Sequence, residues 1–363
     1  MSMRPRVAVA MSGGVDSSVA AALLVKAGYE VIGLMLRLWS ENGTSDHNRC
    51  CAPAAVLLAR RVAAQLGIPF HVLDAREPFF RSVVGFFIAG YADGLTPNPC
   101  LQCNRLIRWG YLRDHALGLG AKMLATGHYA RVEPRDGRLR LLKAADLKKD
   151  QSYVLSILDE EDLVQSLFPV GDLTKAEVRE LARTLGLPVA DRPDSQDLCF
   201  LPDQDYRPFL AGRMPRVFQP GPIITRSGRV LGEHPGLAGY TIGQRKGIRV
   251  SWSQPLYVLE KDPSHNALVV GTAAELESRS LCTSEIHWVN TAPRERLLRA
   301  QVKIRYKAPA MPADVELLPG GGCRMHFELP VRGIAPGQAA VMYQDDYCLG
   351  YGLIEPEAPR ACS

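Results

Sequence analysis

At 363 residues the chain is longer than one hydrophobic core ordinarily organises, so two or three domains are expected. Its 47% hydrophobic and 22% charged residues are those of an ordinary globular protein, and no apolar run approaches the ~20 residues that cross a bilayer, which excludes membrane-spanning functions. A net charge of +5 favours an anionic partner only mildly.

The first residues, Met1 to Arg6, lack the apolar centre of a signal peptide, and a cytoplasmic location is expected. An apolar run, Val7 to Ala10, leads into Met11-Ser12-Gly13-Gly14-Val15-Asp16-Ser17-Ser18, and an alanine-rich run, Val19 to Val25, leads out. That order predicts strand, tight turn and helix. Glycines that tolerate positive φ, the hydroxyls of Ser12, Ser17 and Ser18, and the partial positive charge of a helix start make this a place to hold phosphate. The bare alternative is a Gly-Gly helix entry that binds nothing. The loop is neither G-x-x-x-x-G-K-[ST] nor G-x-G-x-x-G. Asp16 is placed for Mg²⁺, a hard cation that often bridges substrate phosphates.

Glu30 to Leu38 reads as a second strand, Ala54 to Leu66 as a helix stopped by Gly67 and Pro69, Phe70 to Asp74 as a third strand and Pro78 to Tyr91 as another helix. The alternation implies βαβ units and a mostly parallel sheet, with ligands at the carboxyl ends of its strands. In Leu95-Thr96-Pro97-Asn98-Pro99-Cys100-Leu101-Gln102-Cys103-Asn104-Arg105 the two prolines argue against helix, which is expected to begin at Leu106 and to place Cys103 near its N-terminus. There, close to Arg105, a thiol is more acidic and more nucleophilic. One Cys-x-x-Cys pair is open to three readings: half a zinc site, with only Cys50-Cys51 and His47 to complete it, a redox pair, or two unremarkable thiols. The nine cysteines are an odd set for a cytosolic chain, which argues against a disulfide framework and leaves catalysis, sulfur handling or metal.

Lys122 to Ala130 predicts a strand entering a turn, where Gly127 is placed for a backbone contact with nucleotide and a packing detail is the alternative. Ala145 to Leu155 concentrates charge ahead of an apolar run and, on charge alone, reads as a solvated loop and helix cap. Thr174 and Glu177 form a capping-box pattern for a helix that Gly186 stops. Cys199 then stands between carboxylates that raise a thiol's pKa unless the fold turns them away; the alternative is a buried structural cysteine.

Beyond Phe200 the alternation fades. Pro202 to Ile224 reads as a link to a small central module with a basic turn, Gly239 to Arg249, suited either to a phosphate backbone or to plain solvent. From Ser280 onward, short alternating stretches such as Ala300 to Tyr306 and Gln338 to Tyr343 predict a closing β-barrel. On a regular strand Lys303, Arg305 and Lys307 share one face and Tyr306 lies on the other, so Arg305 and Tyr306 face one ligand only where the strand bends or ends.

The loop S-G-G-V-D-S-S resembles the pyrophosphate loop of the N-type ATP pyrophosphatases. Followed in order by T-P-N-P-x-x-x-C-N, A-T-G-H-Y-A, K-D-Q-S-Y, D-S-Q-x-x-C-F and Tyr240 to Ile248, it is similar to the bacterial tRNA-specific 2-thiouridylase family over nearly the whole chain. The resemblance implies an α/β fold: a parallel-sheet pyrophosphatase domain over 1–205, a small central β-rich, tRNA-contacting domain over 206–278, and a C-terminal β-barrel over 279–360. It implies ATP-dependent 2-thiolation of the wobble uridine of tRNA, with ATP cut to AMP and pyrophosphate and Mg²⁺ as the metal. Ala10, Met11, Ser12, Gly13, Gly14, Val15, Asp16, Ser17, Leu36 and Gly127 would bind ATP. Asn98, Pro99 and Cys100 would face the target base, and Lys149, Asp150, Gln151, Arg305 and Tyr306 would touch tRNA.

In the family's scheme the uridine's carbon-2 oxygen is adenylated, and Cys199 carries a persulfide delivered by a sulfur relay from a cysteine desulfurase. Cys103 then releases the sulfur, leaving a Cys103–Cys199 disulfide for a reductant to reset. Many relatives have Asp at the place of Cys100, with a base-like role that a thiol fills poorly. Cys100, Cys103 and Cys199 are thus also candidate ligands of an iron–sulfur cluster, as in related tRNA thiolases. Neither DNA nor membrane is an expected partner. Two other classes stay open: a pyrophosphatase-loop synthetase acting on a small molecule, which needs neither Cys103 nor Cys199, and a noncatalytic RNA-binding or iron–sulfur protein with a vestigial loop.

Overall fold

The computed structural model describes residues 5–40, 52–193, 198–201 and 205–356. His47, Cys50 and Cys51, invoked above for zinc, lie outside them, as does 194–197. β1 (Arg6–Ala10) buries Val7, Ala8 and Val9 completely, as a strand covered on both faces must. It is followed by α1 (Val15–Lys26), β2 (Glu30–Arg37), α2 (Pro53–Leu66) and β3 (Phe70–Asp74). Continuous helical runs then cover 76–92 and 99–118, each with a π-helical stretch, Phe80–Val84 and Cys103–Leu112. β4 (Met123–Ala125), a hairpin of β5 (Ala130–Arg135) and β6 (Arg138–Lys143), and the short β7 (Ser166–Leu167) complete the first segment's strands.

The first sheet has the order β3-β2-β1-β4-β7 with every pair parallel. β1 is therefore central, and the turns after β1 and β4 open side by side at the carboxyl edge. Met11 N–H donates to the Leu34 carbonyl at 2.7 Å, carrying the ladder one residue past β1 and anchoring the loop where it leaves the sheet.

The second helical run starts at Pro99, not at Leu106. Proline is tolerated at a helix start, where its missing N–H has no partner to lose, and the Asn98 side chain caps the turn by accepting from Cys100 N at 3.1 Å and Leu101 N at 3.4 Å. Cys100, rather than Cys103, thus occupies the first turn.

Part of the expected link is a helix, Tyr206–Arg213, which seats Phe209 and Leu210 in an apolar cluster with Phe79 and Phe87. β8 (Gly221–Ile224), β9 (Val230–His234), β10 (Tyr257–Asp262) and β11 (Ala267–Gly271) form a four-stranded sheet in the order β10-β11-β8-β9 over its own small core.

The last segment supplies β12 (Glu277–Thr283), β13 (His287–Trp288), β14 (Leu297–Lys303), β15 (Met311–Leu317), β16 (Cys323–Arg332), β17 (Ala339–Gln344) and β18 (Tyr347–Leu353). They form an antiparallel sheet in the order β12-β16-β15-β14-β17-β18-β6-β5, with β13 also on β18. The β5–β6 hairpin of the first segment thereby belongs to the last sheet. Tyr347 pairs with Leu142, Lys143 N donates to the Asp346 carbonyl at 2.7 Å, and Arg131 meets the Asp346 carboxylate at 3.0 Å. β14 stops at Lys303, so the shared strand face expected for Lys303, Arg305 and Lys307 does not exist; Arg305 and Tyr306 lie in the bend and turn that follow.

Candidate active site

The phosphate loop has the geometry its residues imply. Gly13 takes φ +71°, and Gly14 is the extended residue before α1 with no side chain capping the helix. The first N–H groups of a 12-residue helix are thus left to a ligand. Ser17 Oγ accepts from Ser12 N at 3.2 Å, and Ser18 Oγ donates to the Gly14 carbonyl at 2.8 Å, which sets the loop's shape. A Cβ on Gly127 would lie 2.5 Å from Ser17 N and 2.6 Å from Asp16 C, so only glycine lets the turn after β4 close on the start of α1. Ala10 ends β1, and half-buried Leu36 lies on β2 two residues beyond Leu34, the partner of Met11.

Asp16 is held from two sides: Tyr129 Oη donates to it at 2.7 Å, and Lys175 Nζ reaches its two oxygens at 2.6 and 2.8 Å. Lys175 is the first residue of helix Lys175–Thr184, placed by the Thr174–Glu177 capping box. Arg192 donates from Nη1 to the Gly13 carbonyl at 2.6 Å. Neither cation was singled out from the sequence, where only the capping box marked the neighbourhood. Uncapped N–H groups with Lys175 and Arg192 beside them suit a polyphosphate. One carboxylate shared with phosphate oxygens is what Mg²⁺ takes, so Asp16 fits that role.

A second cluster joins the first segment to the last. Tyr153 Oη donates to the Ala339 carbonyl at 2.9 Å, and its ring meets Tyr306 at 6.0 Å edge-on. Lys303 Nζ lies 6.0 Å from the Tyr153 ring centre and 5.6 Å from that of Tyr306. Burial raises the Tyr153 hydroxyl well above its ordinary range, opposed by a hydrogen bond from Asn98 and by the charge of Arg305. Burial also pushes Tyr306 up to about 12, with Asp150 and Cys100 adding to the rise. The pair Asn98 and Cys100 and the pair Arg305 and Tyr306, far apart in the chain, thus lie around the same tyrosine, Tyr153. Arg305 is exposed and donates to the Arg332 carbonyl at 3.1 Å. Pro99 is buried, so of the expected base-facing trio only half-buried Asn98 and exposed Cys100 present their side chains.

Cys103 is buried in the apolar cluster that also holds Phe79, Phe87, Phe200 and Leu201. Cys199 is exposed, and its neighbours Phe200 and Leu201 pin it to that same cluster. Among the described residues no three His, Cys, Asp or Glu side chains gather to hold a metal ion. Of the three candidate cluster thiols, Cys103 is buried while Cys100 and Cys199 are exposed.

Family models described as tRNA methyl transferase HUP domain, tRNA methyl transferase PRC-barrel domain and Aminomethyltransferase beta-barrel domain match residues 5–203, 207–272 and 278–354. The tRNA-specific 2-thiouridylase MnmA of Chloroflexus aurantiacus is 47% identical over 351 residues, covering 96% of this chain and 98% of its own. The chain belongs to the tRNA-specific 2-thiouridylase family. The MnmA proteins of Moorella thermoacetica, 47% identical over 354 residues (96% of this chain, 99% of theirs), and Heliobacterium modesticaldum, 45% over 357 (97% and 93%), agree.

In this 2-thiouridylase-family chain the K-D-Q-S-Y motif is largely internal, not the solvated loop that its charge suggests. Asp150 is 7% exposed, and its carboxylate accepts from Ala144 N, Ser152 N and Ser152 Oγ at 3.0–3.1 Å. Gln151 Oε1 accepts from Tyr129 N at 3.0 Å. These two side chains tie Tyr129, and through it Asp16, to the barrel-facing Tyr153. Lys149 is half-buried at the start of the motif.

His128, one residue beyond Gly127, bonds Thr126 Oγ1 through Nδ1 at 2.8 Å and lies against Trp109 and Phe168. Burial, aided by the charge of Arg108, holds it well below the usual histidine range, so it is neutral. Unfolded chains take up this proton near pH 6.5 while the folded one resists, so folding loses stability as pH falls below that value. His128→Gln is expected to flatten this slope by roughly 1 kcal/mol per pH unit between pH 6.5 and 5.5, read from urea unfolding of variant and parent.

Proposed function

We propose that the protein transfers sulfur to carbon-2 of the wobble uridine of tRNA, with ATP activating the oxygen to be displaced. The observation that carries this reading is the likeness to tRNA-specific 2-thiouridylases over nearly the whole chain, in a sequence that has the phosphate loop, Asn98, Cys100, Arg305, Tyr306 and the thiols Cys103 and Cys199.

ATP lies with its phosphates on the start of α1, where uncapped N–H groups, Lys175 and Arg192 meet charge that develops on the α phosphate. Mg²⁺ on Asp16 would neutralise the departing pyrophosphate. The uridine's carbon-2 oxygen attacks the α phosphate, the bond to pyrophosphate breaks, and carbon-2 acquires AMP as leaving group. Cys199, loaded by a persulfide donor such as a cysteine desulfurase relay, presents its terminal sulfur to carbon-2, and AMP leaves. Cys103 as thiolate then attacks the Cys199 sulfur. The electron pair of the broken S–S bond stays on the sulfur bound to carbon-2, and the Cys103–Cys199 disulfide that forms is reduced by an external dithiol. Arg305, Lys149 and the exposed basic turn Arg245, Lys246 and Arg249 are the groups available to the RNA backbone. Among the described residues no helix is long and apolar enough to cross a membrane.

Iron-free protein incubated with ATP, a persulfide donor, reductant and unmodified tRNA is expected to form 2-thiouridine and equimolar AMP, both read by mass spectrometry. AMP formation that ignores tRNA but follows a small-molecule acceptor would replace this reading.

A further inference from the structure

The loop that carries Asn98 and Cys100 is held mainly by its neighbours. Pro97 and Pro99 offer no N–H, which leaves few backbone anchors between Leu95 and Cys100. From the central sheet, Lys261 Nζ on β10 donates to the Leu95 carbonyl at 3.1 Å and lies 5.5 Å from the Tyr91 ring centre. From the turn that leads into β17, Gln338 Nε2 donates to the Thr96 carbonyl at 2.7 Å, and the Pro336 carbonyl accepts from Thr96 N at 2.8 Å. Gly94, at φ +74°, abuts Pro263 so closely that a Cβ there would meet the ring at 2.8 Å.

Lys261 is 8% exposed, and burial is the one influence on its ammonium, pushing it down to about 8. The titratable groups facing it are Tyr91 and, against Tyr91, Tyr206; burial raises Tyr91 well above its ordinary range, so it brings no negative charge at neutral pH. A buried ammonium without a carboxylate costs stability, and a methionine would fill the space without that cost. The one strong bond made in return is to the loop.

We infer that Lys261 is a positioning residue for sulfur transfer, holding together with Gln338 the segment from which Asn98 and Cys100 meet the base. This rests on the thiouridylase reading for its consequence in rate. Since Lys261 belongs to the central sheet and Gln338 directly precedes β17 of the last one, the seating of both decides where the loop stands, and a displacement near 1 Å can cost up to ~100-fold in rate.

The test compares Lys261→Met, Lys261→Arg and Gln338→Ala in the full chain. Lys261→Met is expected to melt no lower than the parent, to lose about tenfold in thiolation kcat with KM for tRNA within about twofold, and to speed deuterium exchange at Thr96 and Cys100. Lys261→Arg restores most of the rate. As pH rises from 7 to 9 the parent's rate falls relative to Lys261→Arg, because lysine loses its charge near 8 and arginine keeps it. Unchanged kcat and unchanged exchange in Lys261→Met would overturn the inference, as would a rate loss matched by a lower melting point; should that variant fail to fold, Gln338→Ala is read by the same measures. A parent that does not thiolate tRNA refutes the functional reading instead, and the exchange measurement still decides whether Lys261 holds the loop.

Discussion

Replacement of Cys199 by serine is expected to lower tRNA thiolation by about 10³-fold or more, with Cys103→Ser equally severe in a single turnover without external reductant, because each removes an atom that forms a bond in the cycle. The two variants stop at different places. Without the Cys199 sulfur no persulfide is carried, so labelled sulfur never reaches the RNA, while pyrophosphate is still released and AMP stays bonded to the carbon-2 oxygen of tRNA until water displaces it. Without Cys103 the transfer to carbon-2 proceeds and the RNA stays joined to Cys199 through two sulfurs, a species seen as a slow-migrating band that reductant dissolves. Folding is not the cause in either case. Cys199 is exposed, so the exchange of sulfur for oxygen alters little; Cys103 is buried among apolar side chains, and a hydroxyl there costs about 1–3 kcal/mol, which urea unfolding would register separately. Retention of a tenth of the parent's rate by either variant would sink the assignment.

Gly127→Ala is the second large effect. The added methyl would meet the backbone of Asp16 and Ser17 at 2.5–2.6 Å, and backbone at the head of a helix cannot step aside as a flexible side chain can. The turn or the loop must shift, which costs about 1–3 kcal/mol of stability. A loop displaced by a few tenths of an ångström no longer directs its N–H groups at phosphate, and KM for ATP is expected to rise about 100-fold with KM for tRNA little changed. Gly118→Ala is the control: nothing lies within 4 Å of its added Cβ, it ends a helix, and it should leave ATP binding intact. Equal ATP affinity in Gly127→Ala and parent would remove Gly127 from the nucleotide site.

The phosphate loop was legible in the chain because everything that makes it is local: an apolar strand, two glycines and a helix start within a dozen residues. The same holds for the parallel sheet, announced by its alternation, and for the Thr174–Glu177 box. The proline-rich segment misled for an equally local reason. Two prolines weaken a helix in its interior, yet one placed at the start is harmless, and the capping by Asn98 was the signal to weigh. The charge of Lys149 to Gln151 misled in turn, since Asp150 spends its carboxylate on backbone donors.

What no local pattern contained are the contacts across long separations. Lys175 reaches Asp16 over 159 residues, and Gln338 reaches Thr96 over 242. Arg305 and Tyr306 come beside Cys100 because β14 ends at Lys303 and because the β5–β6 hairpin ties the last sheet to the first. Such meetings depend on which strands pair and in what register, and strand pairing is settled by the burial of whole sheet faces. The make-up of the phosphate loop was therefore readable residue by residue, while the cations on the loop, the company of Cys100 and the anchoring of its segment followed from the packing of three sheets.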